Sequence, residues 1–88
     1  MSFVEIDLYV CGAETDRSST TMRNLAAECT RRYGDAYAIN VIDVLHSPGV
    51  ADRANIVATP TTVIRRPLPA HRLVGDLSQP ESFGGWPR

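Results

Sequence analysis

Apolar and charged positions alternate along residues 3–10, FVEIDLYV, with Ile6, Leu8 and Val10 on one face and Glu5 and Asp7 on the other. A period of two predicts a β-strand buried mainly on one side, which Gly12 ends. The polar run 13–20, AETDRSST, is a loop that offers Asp16, Ser18 or Ser19 as a helix cap. Met22, Leu25, Ala26, Cys29 and Tyr33 then recur at helical spacing, while Arg23, Glu28, Arg31 and Arg32 fall mostly off that stripe. Arginines in the last turn suit the helix dipole, and Gly34 closes the helix. Residues 36–45, AYAINVIDVL, are rich in Val, Ile and Tyr and predict a second strand. A strand, a long helix and a strand make a right-handed crossover unit with parallel strands.

Prolines punctuate the second half. Ser47 and Pro48 are the N-cap and first residue of a short helix expected over about residues 48–56. Residues 61–65, TTVIR, and 70–75, AHRLVG, are two strands joined by the stiff Pro67-Leu68-Pro69 turn, an antiparallel hairpin. Pro60 stands just before the first of them, where a residue without an N–H is tolerated. The predicted order is β-α-β-α-β-β, an α/β fold with a mixed sheet and helices packed on it. Ser78 and Glu81 have capping-box spacing and start a third helix, which Gly84, Gly85 and Pro87 cut short. The expected domain is therefore residues 1–78, followed by an irregular tail, 79–88.

Composition narrows the class. The 88 residues suffice for one domain with a modest core, and 43% apolar with 22% charged residues is ordinary for a globular protein. A net charge of −1 lacks the basic field of a nucleic-acid binder. The N-terminal stretch has no positive region, and Glu5 and Asp7 interrupt its apolar residues. It reads as neither signal peptide nor membrane span. Two cysteines without a secretory signal predict reduced thiols in a cytoplasm.

Candidate chemistry is sparse. Cys11 ends the first strand ahead of the helix, a position where a thiol can be reactive, yet Glu14 and Asp16 lie close by and would raise its pKa. Cys29 belongs to the apolar stripe and reads as core. His46, His71, Cys11 and Cys29 lack metal-ligand spacing, and no phosphate-binding or nucleophile-elbow motif occurs. Asp43 and Asp76 suit turns or caps better than catalysis. Arg65, Arg66 and Arg72 form a basic patch around the hairpin, either a charge-protected edge or a dock for an acidic partner. No catalytic residue, metal or cofactor is assigned.

The segments LYV (8–10) with Gly12, YAINVIDVL (37–45), Pro48, IVATPT (56–61), PLPAHR (67–72) and GDLS (75–78) closely resemble the KaiB family of circadian-clock proteins. The resemblance implies a non-enzymatic, cytoplasmic, homo-oligomeric regulator that binds a KaiC-type ATPase. Its further partners are a KaiA-like protein and a sensor histidine kinase. It also implies a thioredoxin-like fold that interconverts with a second, ground-state fold. Pro60, Pro67 and Pro69 fall on the prolines of the switching half, with Pro60 expected cis in the thioredoxin-like arrangement. Ala38 and Asn40 fall on the second-strand edge that meets KaiA. Pro48 to Asn55, with Val50 and Asp52, fall on the second helix against KaiC, and Arg72 matches a basic residue of the last strand. Departures are a longer loop after Gly12, Thr20 in place of an arginine, and SFGGWPR in place of a leucine-rich C-terminal segment that covers the sheet. Two other readings accompany this one: a monothiol oxidoreductase using Cys11, and a domain that self-associates through its uncovered sheet face.

Overall fold

The computed structural model describes residues 3–87, so residues 1–2 of the expected domain and residue 88 of the expected tail lie outside it. Four strands, β1 (Val4–Val10), β2 (Tyr37–Asp43), β3 (Thr61–Arg66) and β4 (His71–Val74), form one sheet in the order β2-β1-β3-β4. β2 runs parallel to β1, whereas β3 pairs antiparallel with β1 and β4 antiparallel with β3. Between them lie α1 (Asp16–Tyr33) and α2 (Pro48–Arg53), giving the expected β-α-β-α-β-β order and mixed sheet.

The alternation in β1 creates two faces. Ile6 and Leu8 register with Ile64 and Thr62 of β3, and with Val10 they are buried beneath Leu25 and Cys29 of α1. Burying each large apolar side chain stabilises the fold by about 1.5–3 kcal/mol. Thr62 belongs to this layer, and its Oγ1 has no hydrogen-bond partner.

α1 is capped by Thr15, not by Asp16, Ser18 or Ser19: Ser18 N–H donates to the Thr15 hydroxyl at 3.2 Å. Ser18 is unavailable as a cap because its hydroxyl turns inward and donates to the Gly12 carbonyl at 2.7 Å. At the other end Gly34 takes φ 65° and its N–H donates to Thr30, as the sequence predicts. α2 stops at Arg53, short of the expected end, because Asn55 adopts φ 56° and turns the chain out of the helix.

The Thr59–Pro60, Arg66–Pro67 and Leu68–Pro69 bonds are all cis. Beyond β4, Leu77 takes φ 62° yet is buried in the core; Asn24 holds the preceding Asp76 carbonyl at 3.0 Å. No α-helix starts at Ser78. Its N–H is taken by the Asp76 carboxylate, and the chain makes only a 3₁₀ turn, Pro80–Phe83, capped at Gln79. Trp86 then folds back into the core at 6% exposure. Its indole N–H donates to the Tyr33 hydroxyl at 2.8 Å, its ring stacks on Tyr33, and the Arg32 guanidinium lies 4.9 Å from its centroid. Gly85 permits this approach: a Cβ there would stand 2.9 Å from Leu73.

Candidate functional site

The opposite sheet face has a different composition. Asp7, only 9% exposed, accepts from Arg65 Nε at 3.1 Å, while Arg65 also reaches Glu5 at 3.4 Å. Asn40 Nδ2 lies 3.5 Å from Asp7 across the β1–β2 register. Tyr9 continues the row, and burial pushes its phenol pKa up. Arg72 registers with Val63, which pairs with Asp7, so its side chain is on this face too. Its guanidinium donates to the carbonyls of Asn55 (3.2 Å) and Ala54, fastening the turn that ends α2. The C-terminal end of α2 therefore rests on the face opposite α1.

The partner-binding positions expected from the sequence are arranged as follows. Pro48, Asp52 and Asn55 are exposed on α2 and its turn, with Val50 half-buried. Ala38 and Asn40 are exposed on β2, which has β1 on one side only. Register puts Ala38 opposite Glu5 and Asn40 opposite Asp7, on the Arg72 side of the sheet. Pro60 precedes β3, and Pro67 and Pro69 form the turn that follows it. Within the basic patch, Arg65 is engaged by two carboxylates and Arg72 by backbone carbonyls, leaving Arg66 exposed beside them.

Beside α2 a cleft of about 300 Å³ is lined by Val44, Pro48, Ala51, Asp52, Ile56 and Val57, and Val57 is 97% exposed. An isoleucine-valine pair just past a short helix resembles any strand start, so periodicity alone does not reveal it.

The two thiols differ sharply. Cys11 is exposed and shares a cleft of about 300 Å³ with Arg17, Ser18, Thr59 and Pro60. Cys29 is sealed in the core, where burial pushes its thiol up to about 12. Asp43 accepts from the N–H groups of Ala13 (2.9 Å), Gly12 (3.1 Å) and Leu45 (3.0 Å), which hold its carboxyl below the usual range. Asp76 is lowered likewise by Ser78. Both carboxylates thus organise turns. Among the described residues no group of three or more His, Cys, Asp or Glu is placed to hold a metal ion, and no helix is long and apolar enough to cross a membrane.

Residues 7–88 match the KaiB domain model. The circadian clock protein KaiB3 of Synechocystis sp. is 35% identical over 81 residues, 92% of this chain and 78% of that protein. The circadian clock oscillator protein KaiB of Synechococcus elongatus is 40% identical over 76 residues, 86% of this chain and 74% of that one. Among solved structures, the N-terminal domain of Synechococcus elongatus SasA superposes with a TM-score of 0.74 at 18% identity, over 86% of this chain and 71% of that one. Oxidised mitochondrial thioredoxin 3 of Saccharomyces cerevisiae gives 0.65 at 16% identity, over 86% and 70%. The fold is thioredoxin-like.

Proposed function

This chain belongs to the KaiB family, and from that premise we propose that it is a non-enzymatic clock-type regulator that binds a KaiC-type ATPase and modulates its phosphorylation state or output. One observation carries the reading: the family-matched positions gather on one side of the molecule. Pro48, Asp52 and Asn55 stand exposed on α2 and its turn. Arg72 clamps that turn, and Ala38 and Asn40 continue the same sheet face to the β2 edge. In this reading α2 and the apolar cleft beside Val57 dock against the ATPase. The β2 edge receives a KaiA-like protein, and a sensor histidine kinase with a similar domain competes for the same site. Sheet edges and exposed short helices are natural docking rails. Pro60 stands where the constant half meets the half that refolds in the family's second arrangement, and Pro67 and Pro69 lie within that half.

Co-elution with a nucleotide-loaded KaiC-type ATPase after long incubation tests this. The complex is expected with the native chain and lost with Asp52→Arg combined with Val57→Asp; a native chain that never co-elutes refutes the reading.

A second reading is favoured by the cleft that Cys11 shares with Pro60, the layout of a thiol site. It predicts turnover of mixed disulfides that Cys11→Ser abolishes, and no turnover removes it.

A further inference from the structure

We infer that the groove between α1 and β2 binds a medium-chain aliphatic carboxylate, with the alkyl chain along the groove and the carboxylate on Arg23. The groove has a volume of about 430 Å³, within the range of ~300–1,000 Å³ usual for small-molecule sites. Its floor is Leu8 and Val10 of β1, both sealed in the core. Met22 of α1 forms one wall and Val41 of β2 the other; Val41 registers with Leu8 and is 37% exposed. Ala13 completes the apolar lining, and the unbranched thioether of Met22 lets that wall adjust to a flexible chain.

The polar groups of the groove come from one helix face. Ser18 lines it, but its hydroxyl is already given to the Gly12 carbonyl. Ser19 and Arg23 stand four residues apart, and therefore neighbour each other along α1. Among the described residues Arg23 has no ion pair, and its Nη2 donates to the Thr20 hydroxyl at 3.3 Å. The positions three and four residues away on α1 are Ser19, Thr20, Ala26 and Ala27, none of them acidic. Arg31 and Arg32, in contrast, share Glu28. One unpaired guanidinium beside a hydroxyl, over apolar walls, suits a singly charged head on an apolar body.

The charge at the rim separates this groove from the cleft beside α2. That cleft is also apolar, but its charged group is Asp52, which repels an anion. The size of the walls favours a chain over a protein segment. On α1 they cover only residues 18–23, and β2 supplies a single side chain. A helix with its side chains is about 10 Å across and needs a longer trough. Glu14 follows Ala13 in the chain, so the carboxylate faces Arg23 and the tail runs toward Ala13. The groove is on the α1 side of the sheet, so this inference stands or falls apart from the docking of a KaiC-type ATPase.

Titration of the full chain with hexanoate, octanoate and decanoate, each kept below the concentration at which it self-associates, tests the inference by NMR amide shifts. Saturable binding to one site is expected, with the largest shifts at Ala13, Ser19, Met22, Arg23 and Val41. Affinity should rise about fourfold for each added methylene until the groove is full. Arg23→Gln is expected to weaken octanoate binding about five- to tenfold and to leave octanol binding unchanged. Val41→Asp should abolish binding of both while the amide spectrum keeps its dispersion, and Leu68→Ser should alter neither. Absence of saturable binding overturns the inference, as does an affinity that Arg23→Gln leaves unchanged. Shifts that gather at the Val57 or Cys11 cleft also overturn it, as does a groove that takes only a partner protein's side chain and no free carboxylate.

Discussion

The two faces of the sheet are built from alternate residues of the same strand and obey different physics. On the α1 side, Ile6, Leu8 and Val10 are sealed by Leu25, Cys29 and the returning Trp86. On the other side, Glu5 and Asp7 face Asn40 and Arg65, and the end of α2 is held by Arg72. The first face stabilises through dispersion and water exclusion, so it tolerates little change of volume. The second is held by directional polar contacts at partial exposure, which contribute less. Stability is thereby concentrated on one side of the four-stranded sheet, and the proposed recognition surface lies on the other.

Substitutions on the two sides should differ in cost accordingly. Leu25→Ala, at the centre of the sealed face, is expected to destabilise by about 4 kcal/mol in urea unfolding. Trp86→Ala should cost about 3 kcal/mol. As the chain's single tryptophan, Trp86 also reports on docking of the tail, and its emission in the native protein should be that of a buried indole. On the other face, Arg65→Ala removes the guanidinium from a nearly buried Asp7 and should cost only about 1 kcal/mol. If Arg65→Ala proves as costly as Leu25→Ala, the division between faces is wrong.

The cysteines sharpen the same contrast. With a disulfide reagent at pH 8, Cys11 should react promptly in the native protein and Cys29 only after unfolding, since burial holds its thiol near 12. Prompt reaction of both would mean that the α1 face opens readily.

The smallest effect is at Asp43, which ties the loop after β1 to the end of β2. Its folded pKa lies below the ordinary 3.8, because three N–H groups favour the carboxylate. That contribution is complete above 3.8 and is lost as pH falls from there through the folded value. Asp43→Asn should therefore show a shallower loss of stability below pH 3.8 than the native chain, and parallel curves would exclude the linkage.

The parts legible in the sequence were those governed by local repetition. The alternation of Ile6, Leu8 and Val10, the stripe from Met22 to Tyr33 and the closing Gly34 gave β1 and α1 almost to the residue. Chain ends and caps were less legible. Thr15 caps α1 while the Ser18 hydroxyl is drawn inward to Gly12, an arrangement that residue type alone does not reveal. The docking of Trp86 was hidden because its partner Tyr33 lies 53 residues away, behind glycines that signal only an end to helix. Motif matching found the exposed positions on α2 and β2, but not that Arg72 acts as a clamp on the α2 turn. Carbonyl partners carry no sequence signal.

The central claim is that the face opposite α1, with α2 and the β2 edge, is the recognition surface. Amide hydrogen exchange of the chain mixed with a nucleotide-loaded KaiC-type ATPase tests it most directly. Slowed exchange confined to residues 48–57, extending to residues 37–43 only when a KaiA-like protein is added, with α1 unchanged, is the predicted footprint. Protection centred on α1, or none at any segment, would contradict it.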